Sequence, residues 1–117
     1  MNPETPVQNR CRLRLTKLGV LNFRNNTGAL KDKAGRLVKF GLFTGSSDII
    51  ACKPVTITQD MVGKVIGQFT AIEVKCPGKD VEPGGDQDNF LKAVRAHGGL
   101  AGVAHSEDEA ELIISGT

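Results

Sequence analysis

Three residues in this 117-residue chain have the types and spacing to hold a cation beside a phosphate: Asp48, Glu73 and Lys75. Glu73 and Lys75 lie two apart in the apolar run Phe69-Thr70-Ala71-Ile72-Glu73-Val74-Lys75-Cys76. Side chains alternate faces along a strand, so the acid and the base would project together from one face while Ile72 and Val74 enter a core. On that fragment alone a surface ion pair explains the pattern as well as a site does. Upstream, Gly45-Ser46-Ser47 is a small-residue turn that delivers Asp48 to the mouth of another short apolar strand. Phosphodiester hydrolysis needs an activated water, a counter-charge for the transition state and help for the leaving oxygen. Asp48 and Glu73 would offer hard carboxylate oxygens suited to Mg²⁺ or Mn²⁺, with the Val74 main-chain carbonyl as a further ligand. Lys75 would orient the attacking water or neutralise the phosphate.

The elements that must position these groups are legible as an order α-β-β-β-β-β-α-β-α. Prolines at 3 and 6 open a helix that Gly19 ends, with Val7, Cys11, Leu15 and Leu18 on the inward face and Arg10, Arg14 and Lys17 on another. Val20 to Arg24 reads as a strand, Asn25-Asn26-Thr27-Gly28 as a turn, and Ala29 to Phe40 as a hairpin with Lys33-Ala34-Gly35 at its tip. A strand from Asp48 to Lys53 follows, then a capped turn at Thr58 to Met61, and the longest strand from Lys64 to Cys76. A second helix begins near Asp86, with Phe90, Leu91 and Val94 inward, and stops at Gly98-Gly99. A small-residue strand and a last helix capped at Ser106 complete the chain. The class is α/β in the α+β sense, a central mixed sheet flanked by helices, in a single domain over residues 1–117.

Net charge is only +2, but its distribution is uneven. Nine basic residues fall between Arg10 and Lys39 (Arg10, Arg12, Arg14, Lys17, Arg24, Lys31, Lys33, Arg36, Lys39) against one acid, Asp32. Such a basic third suits a long polyanion better than a small phosphate compound. Asn25 and Asn26 beside the basic hairpin either contact that polyanion or adopt left-handed turn geometry. Cys11, Cys52 and Cys76 have neither disulfide parity nor zinc spacing and are expected to be reduced and buried. His97 and His105, eight apart around a Gly-Gly pair, read as ordinary surface or interface histidines. No stretch approaches a membrane span and the polar N-terminus is no signal peptide, so a cytoplasmic protein is expected.

Asn25-Asn26-Thr27-Gly28, Gly45-Ser46-Ser47-Asp48, Ala71-Ile72-Glu73-Val74-Lys75 and a Gln87 helix ending in Gly98-Gly99 together resemble the virus-type replication-repair nuclease (VRR-NUC) domain. The resemblance is to its stand-alone phage or bacterial form, within the restriction-endonuclease-like PD-(D/E)xK superfamily, and runs from about Glu4 to Glu109. Ser47 stands where the superfamily pattern has a proline. The resemblance implies a catalytic set of Asp48, Glu73, Lys75 and Gln87, with Glu4 as an additional metal ligand from the N-terminal helix. With Mg²⁺ or Mn²⁺ as the expected cofactor, no helix-turn-helix or finger pattern to read bases and two sites set apart by pairing, the expected substrate is branched DNA such as four-way junctions, cut without sequence specificity. Phosphate contacts are expected from Arg10, Arg14, Lys17, Arg24, Asn25, Asn26, Lys31, Lys33, Arg36 and Lys39. Little room for a core that covers both sheet faces adds a homodimer to these expectations. A non-catalytic DNA-binding scaffold and a hydrolase of small phosphate compounds are the alternatives.

Overall fold

Glycine and proline set the element boundaries. The computed structural model describes residues 4–116. The elements are α1 (Glu4–Lys17), β1 (Leu21–Arg24), β2 (Gly28–Lys31), β3 (Leu37–Phe40), β4 (Ile49–Cys52), a 3-10 turn at Gln59–Met61, β5 (Thr70–Val74), α2 (Asp86–Ala96), β6 (Leu100–Ala104) and α3 (Glu107–Ile114). Their order is the one read from the sequence, and the class is α+β. The strands pair two by two, β1 with β4, β2 with β3 and β5 with β6, in three open ladders rather than one continuous sheet. Two compact units divide the chain between Ala51 and Cys52.

In the first unit α1 buries no residue. The expected inward stripe is not an apolar seam, since Val7 and Leu18 are 50% and 69% exposed and Cys11 is also exposed. A polar tie connects α1 to β1 instead: Arg12 Nε donates to Asn22 Oδ1 at 3.0 Å, and Asn22 Nδ2 donates to Thr16 Oγ1 at 3.1 Å. The β2–β3 hairpin is antiparallel, with Gly28 opposite Phe40 and Lys31 opposite Leu37. At its tip the Asp32 carboxylate accepts from the Ala34 and Arg36 amides and from Arg36 Nε at 2.8 Å. These bonds, that from the Arg36 amide foremost, hold the Asp32 carboxyl below the usual carboxylate range. A Cβ on Gly28 would lie 2.5 Å from Phe40 Cζ, so only glycine lets the Phe40 ring lie across the opposite strand.

The second unit is a βαβ crossover extended by a helix. β5 and β6 are parallel, with Glu73 opposite Val103 and Val74 opposite Ala104. Bonds from Leu100 N to Phe69 O (2.9 Å) and from Lys75 N to Ala104 O (3.1 Å) extend the ladder at both ends. The strand expected from Lys64 is confined to Thr70–Val74, because only that part has a partner; Val65 upstream is 98% exposed. On α2, Leu91 and Val94 are buried, whereas Phe90 is 39% exposed. A Cβ on Gly102 would meet Ile113 Cδ1 at 2.9 Å, so this glycine admits α3 against β6. Ser106 Oγ accepts from the Glu109 amide and caps α3 as read from the sequence. Among the described residues no helix is long and apolar enough to cross a membrane.

The β5 faces are the reverse of the expectation. Glu73 and Lys75 are half-buried, while Ile72 and Val74 are 36% and 73% exposed. Alternation along the ladder puts Gln87 of α2 on the Glu73 face and Ile113 of α3 on the opposite face, by way of Gly102. The short α3 packs mainly on β6 and leaves Val74 of β5 largely exposed and Ile72 partly so. Of the three cysteines, all free, only Cys52 is buried.

Candidate active site

The acid and base of β5 meet as their spacing requires. Lys75 Nζ lies 3.8 Å from Glu73 Oε1, and the two side chains keep 27% and 32% of their exposure. A third group joins them from α2: Gln87 Nε2 donates to the same Glu73 Oε1 at 2.8 Å. One carboxylate oxygen is thus oriented from two sides, and no hydrogen bond to Oε2 occurs among the described residues. Gln87 reaches Glu73 because α2 begins at Asp86, immediately after Gly84-Gly85, and its first turn faces the end of β5. The helix start is fixed independently of Gln87: Asp88 Oδ2 accepts from the Gly84 amide at 2.9 Å and pairs with Lys92 at 2.9 Å. Those bonds, the Gly84 one first, lower the Asp88 pKa. Asp88, not Gln87, therefore serves the turn that opens the helix.

Asp48 belongs to the first unit, exposed at the entry to β4. Its backbone is set by Asn25, whose amide donates to Asp48 O at 2.8 Å. The Asn25 side chain, only 8% exposed, clamps the preceding loop: Nδ2 donates to Ser46 Oγ (2.7 Å) and Ser47 O (3.0 Å), and Oδ1 accepts from Leu42 N (3.1 Å). Asn25, expected to touch DNA, is thus a buried brace of the loop that presents Asp48. It is not in left-handed geometry either, as no described non-glycine residue has positive φ. Its role was not separable in sequence from that of Asn26, which is exposed. Glu4, the first residue of α1, is exposed in the first unit.

The basic side chains Arg10, Arg14 and Lys17 on α1, Arg24 on β1, and Lys31, Lys33, Arg36 and Lys39 on the hairpin are exposed. All lie in the first unit, and Arg36 is paired with Asp32. Among the described residues no group of three or more His, Cys, Asp or Glu side chains gathers to hold a metal ion. Within the second unit, Glu73 and the Val74 carbonyl present only oxygen, the donor type that suits a hard cation, and Glu73 retains an open carboxylate oxygen.

One arrangement was missed in the sequence. His105 Nδ1 lies 2.7 Å from Glu109 Oε1 and its Nε2 lies 2.5 Å from Lys79 O, so the ring ties the turn after Lys75 to α3. Two acceptors on one imidazole favour the doubly protonated ring. The Lys79 carbonyl and then the Glu109 carboxylate raise the His105 pKa, while His105 lowers that of Glu109. The spacing His105 to Glu109, one helical turn across a cap, was the available signal.

Comparison with curated proteins and with solved structures gave no match. The VRR-NUC domain profile matches residues 2–108, across both units. By that match the chain belongs to the VRR-NUC family of nuclease domains, whose substrate is DNA.

Proposed function

We propose that this DNA nuclease is a metal-dependent endonuclease that cuts branched DNA, four-way junctions in particular, during replication, recombination or repair in a bacterial or phage-infected cell. The observation that carries the reading is the convergence of Lys75 and Gln87 on one oxygen of Glu73, with the other oxygen open. Asp48, Glu73 and the Val74 carbonyl would hold Mg²⁺ or Mn²⁺, with Glu4 as a further donor. When bound, the cation supplies charge at the phosphate and lowers the pKa of its water. Lys75 would orient the attacking water or neutralise the phosphate charge, and Gln87 keeps the Glu73 carboxylate in one orientation. Arg10, Arg14, Lys17, Arg24, Asn26, Lys31, Lys33, Arg36 and Lys39 bind the phosphate backbone without reading bases.

The dimer is part of the proposal. Ile72 and Val74 leave an apolar strand face uncovered, and a second copy is the commonest way to cover one. Two sites at fixed separation suit paired nicks across a junction. Labelled duplex, flap, splayed and four-way DNA incubated with the protein, with and without Mg²⁺ or Mn²⁺, tests the activity. Junction cutting only with metal is the expected result, and equal cutting of plain duplex removes the branch preference. Light scattering should give twice the 12.5 kDa chain mass; a monomer that cuts removes the dimer.

A further inference from the structure

The β2–β3 hairpin carries more than phosphate-binding charge. Beside it opens a cleft of about 680 Å³, lined by Lys39, Phe40, Leu42 and Phe43 together with Thr27 and Ala29. Phe40 is 43% and Phe43 70% exposed. A large aromatic left this open in a unit with so few aromatic side chains is not filling a core.

The Phe40 ring is backed by the opposite strand, and the Phe43 backbone is fixed in its loop. Phe40 lies across Gly28, where any side chain would displace it. Phe43 is fixed through its backbone: its carbonyl accepts from Ser46 N at 3.0 Å and its amide donates to Ser46 Oγ at 3.4 Å, the same hydroxyl that Asn25 holds. The charge around the cleft has one sign. Lys39 is the charged residue of its lining, and along the hairpin Asp32, the sole acid, is paired with Arg36, which leaves Lys31 and Lys33 to add positive charge toward the tip. Two exposed rings beside Lys39, on a hairpin that carries further lysines, match a ligand that alternates flat apolar faces with negative charge, which is a single-stranded nucleic acid.

We propose that Phe43 and Phe40 form a stacking platform for unpaired bases of the DNA substrate, with Lys39 on the adjoining phosphate. The inference rests on the DNA-nuclease reading and deepens it: branched DNA would be distinguished from plain duplex by bases free to leave the helix, and the platform lies on the loop that leads to Asp48.

Binding is measured by fluorescence anisotropy in chelator, so that cleavage plays no part, on a single-stranded oligonucleotide, a splayed duplex and a fully paired duplex. Phe43→Ala should weaken single-strand and splayed binding about fivefold to a hundredfold, the span of one base stack, and leave the paired duplex within about twofold. Phe43→Tyr should bind as the parent does, and Phe43→Leu, which keeps apolar bulk without a ring, should fall between. A 2-aminopurine in the single strand should be quenched by the parent and not by Phe43→Ala; the chain has no Trp or Tyr to obscure that signal. Equal losses on all three DNAs, Phe43→Leu indistinguishable from the parent, or unchanged DNA binding with an altered oligomeric mass would each overturn the platform, the last by assigning this surface to a protein. If the parent binds and cuts branched DNA while the Phe43 variants match it, the platform alone fails. If the parent neither binds nor cuts any of the DNAs, the nuclease reading fails with it.

Discussion

Gln87 Nε2 donates to Glu73 Oε1 at 2.8 Å, on the oxygen that also faces Lys75. A carboxylate steered in this way presents its other oxygen in one direction only. Replacing Gln87 by Ala should lower cleavage about 10- to 100-fold, the usual effect of removing a ligand-orienting partner, with little change in melting temperature. Glu73→Gln should abolish cleavage and weaken Mn²⁺ binding in calorimetry. Lys75→Ala should lose cleavage by about 10²–10⁴-fold yet bind Mn²⁺ nearly as the parent does. Equal loss of metal binding in the Glu73 and Lys75 variants would contradict the assigned roles.

Asn25 predicts a different pattern. Its buried amide makes three side-chain hydrogen bonds to the loop ahead of Asp48, so Asn25→Ala should destabilise the protein by about 1–3 kcal/mol in denaturant unfolding. Affinity for fully paired duplex at low temperature, where the variant is folded, should change little. A stable variant with weakened DNA binding would restore Asn25 to the phosphate-binding surface.

The His105 tie should make the second unit sensitive to pH. The His105 pKa is raised above 6.5, so its contribution is full below that value and is lost as pH rises through the raised one. The Glu109 pKa is lowered from 4.5, so its contribution is present above that value and fades as pH falls through the lowered one. The tie is therefore strongest between those limits. Hydrogen exchange of residues 78–81 should speed up as pH rises above 6.5, beyond the intrinsic trend, and His105→Gln should remove that excess. An excess that survives in the variant would place the sensitivity elsewhere.

Neutralising Arg10 and Arg14 together should lower affinity for duplex and junction alike. The log-log salt slope should flatten by about 0.9 for each phosphate that the protein no longer neutralises. An unchanged slope would remove α1 from the DNA surface.

Element order was readable because glycine, proline and capping residues mark the ends: Gly19, Gly35 and Gly98 all take positive φ where the sequence signals a stop, and Ser106 caps α3. The Glu73–Lys75 pairing followed from period-2 alternation. What alternation could not supply was which face is covered, since that depends on where α2 and α3 dock. Ile72 and Val74 look like core residues in sequence and lose that place because α3 packs on Gly102. The α1 stripe misled for a related reason: Arg12, read only as charge, makes the bond to β1 that replaces the expected apolar packing. Asn25 and His105 were opaque because their partners lie in other segments, from Leu42 to Asp48 for one and at Lys79 for the other.

The uneven burial of the cysteines has a practical consequence. Cys11 and Cys76 are accessible, one in each unit, and Cys52 is shielded. The natural chain therefore accepts a pair of nitroxide or fluorophore labels, and the spacing between them reads how the two units are set and whether DNA changes it. Cys76 adjoins Lys75, so a label there also lies next to the proposed site at the end of β5. Alkylation at that sulfur should silence cleavage, and protein kept without reductant should lose activity sooner than it loses fold.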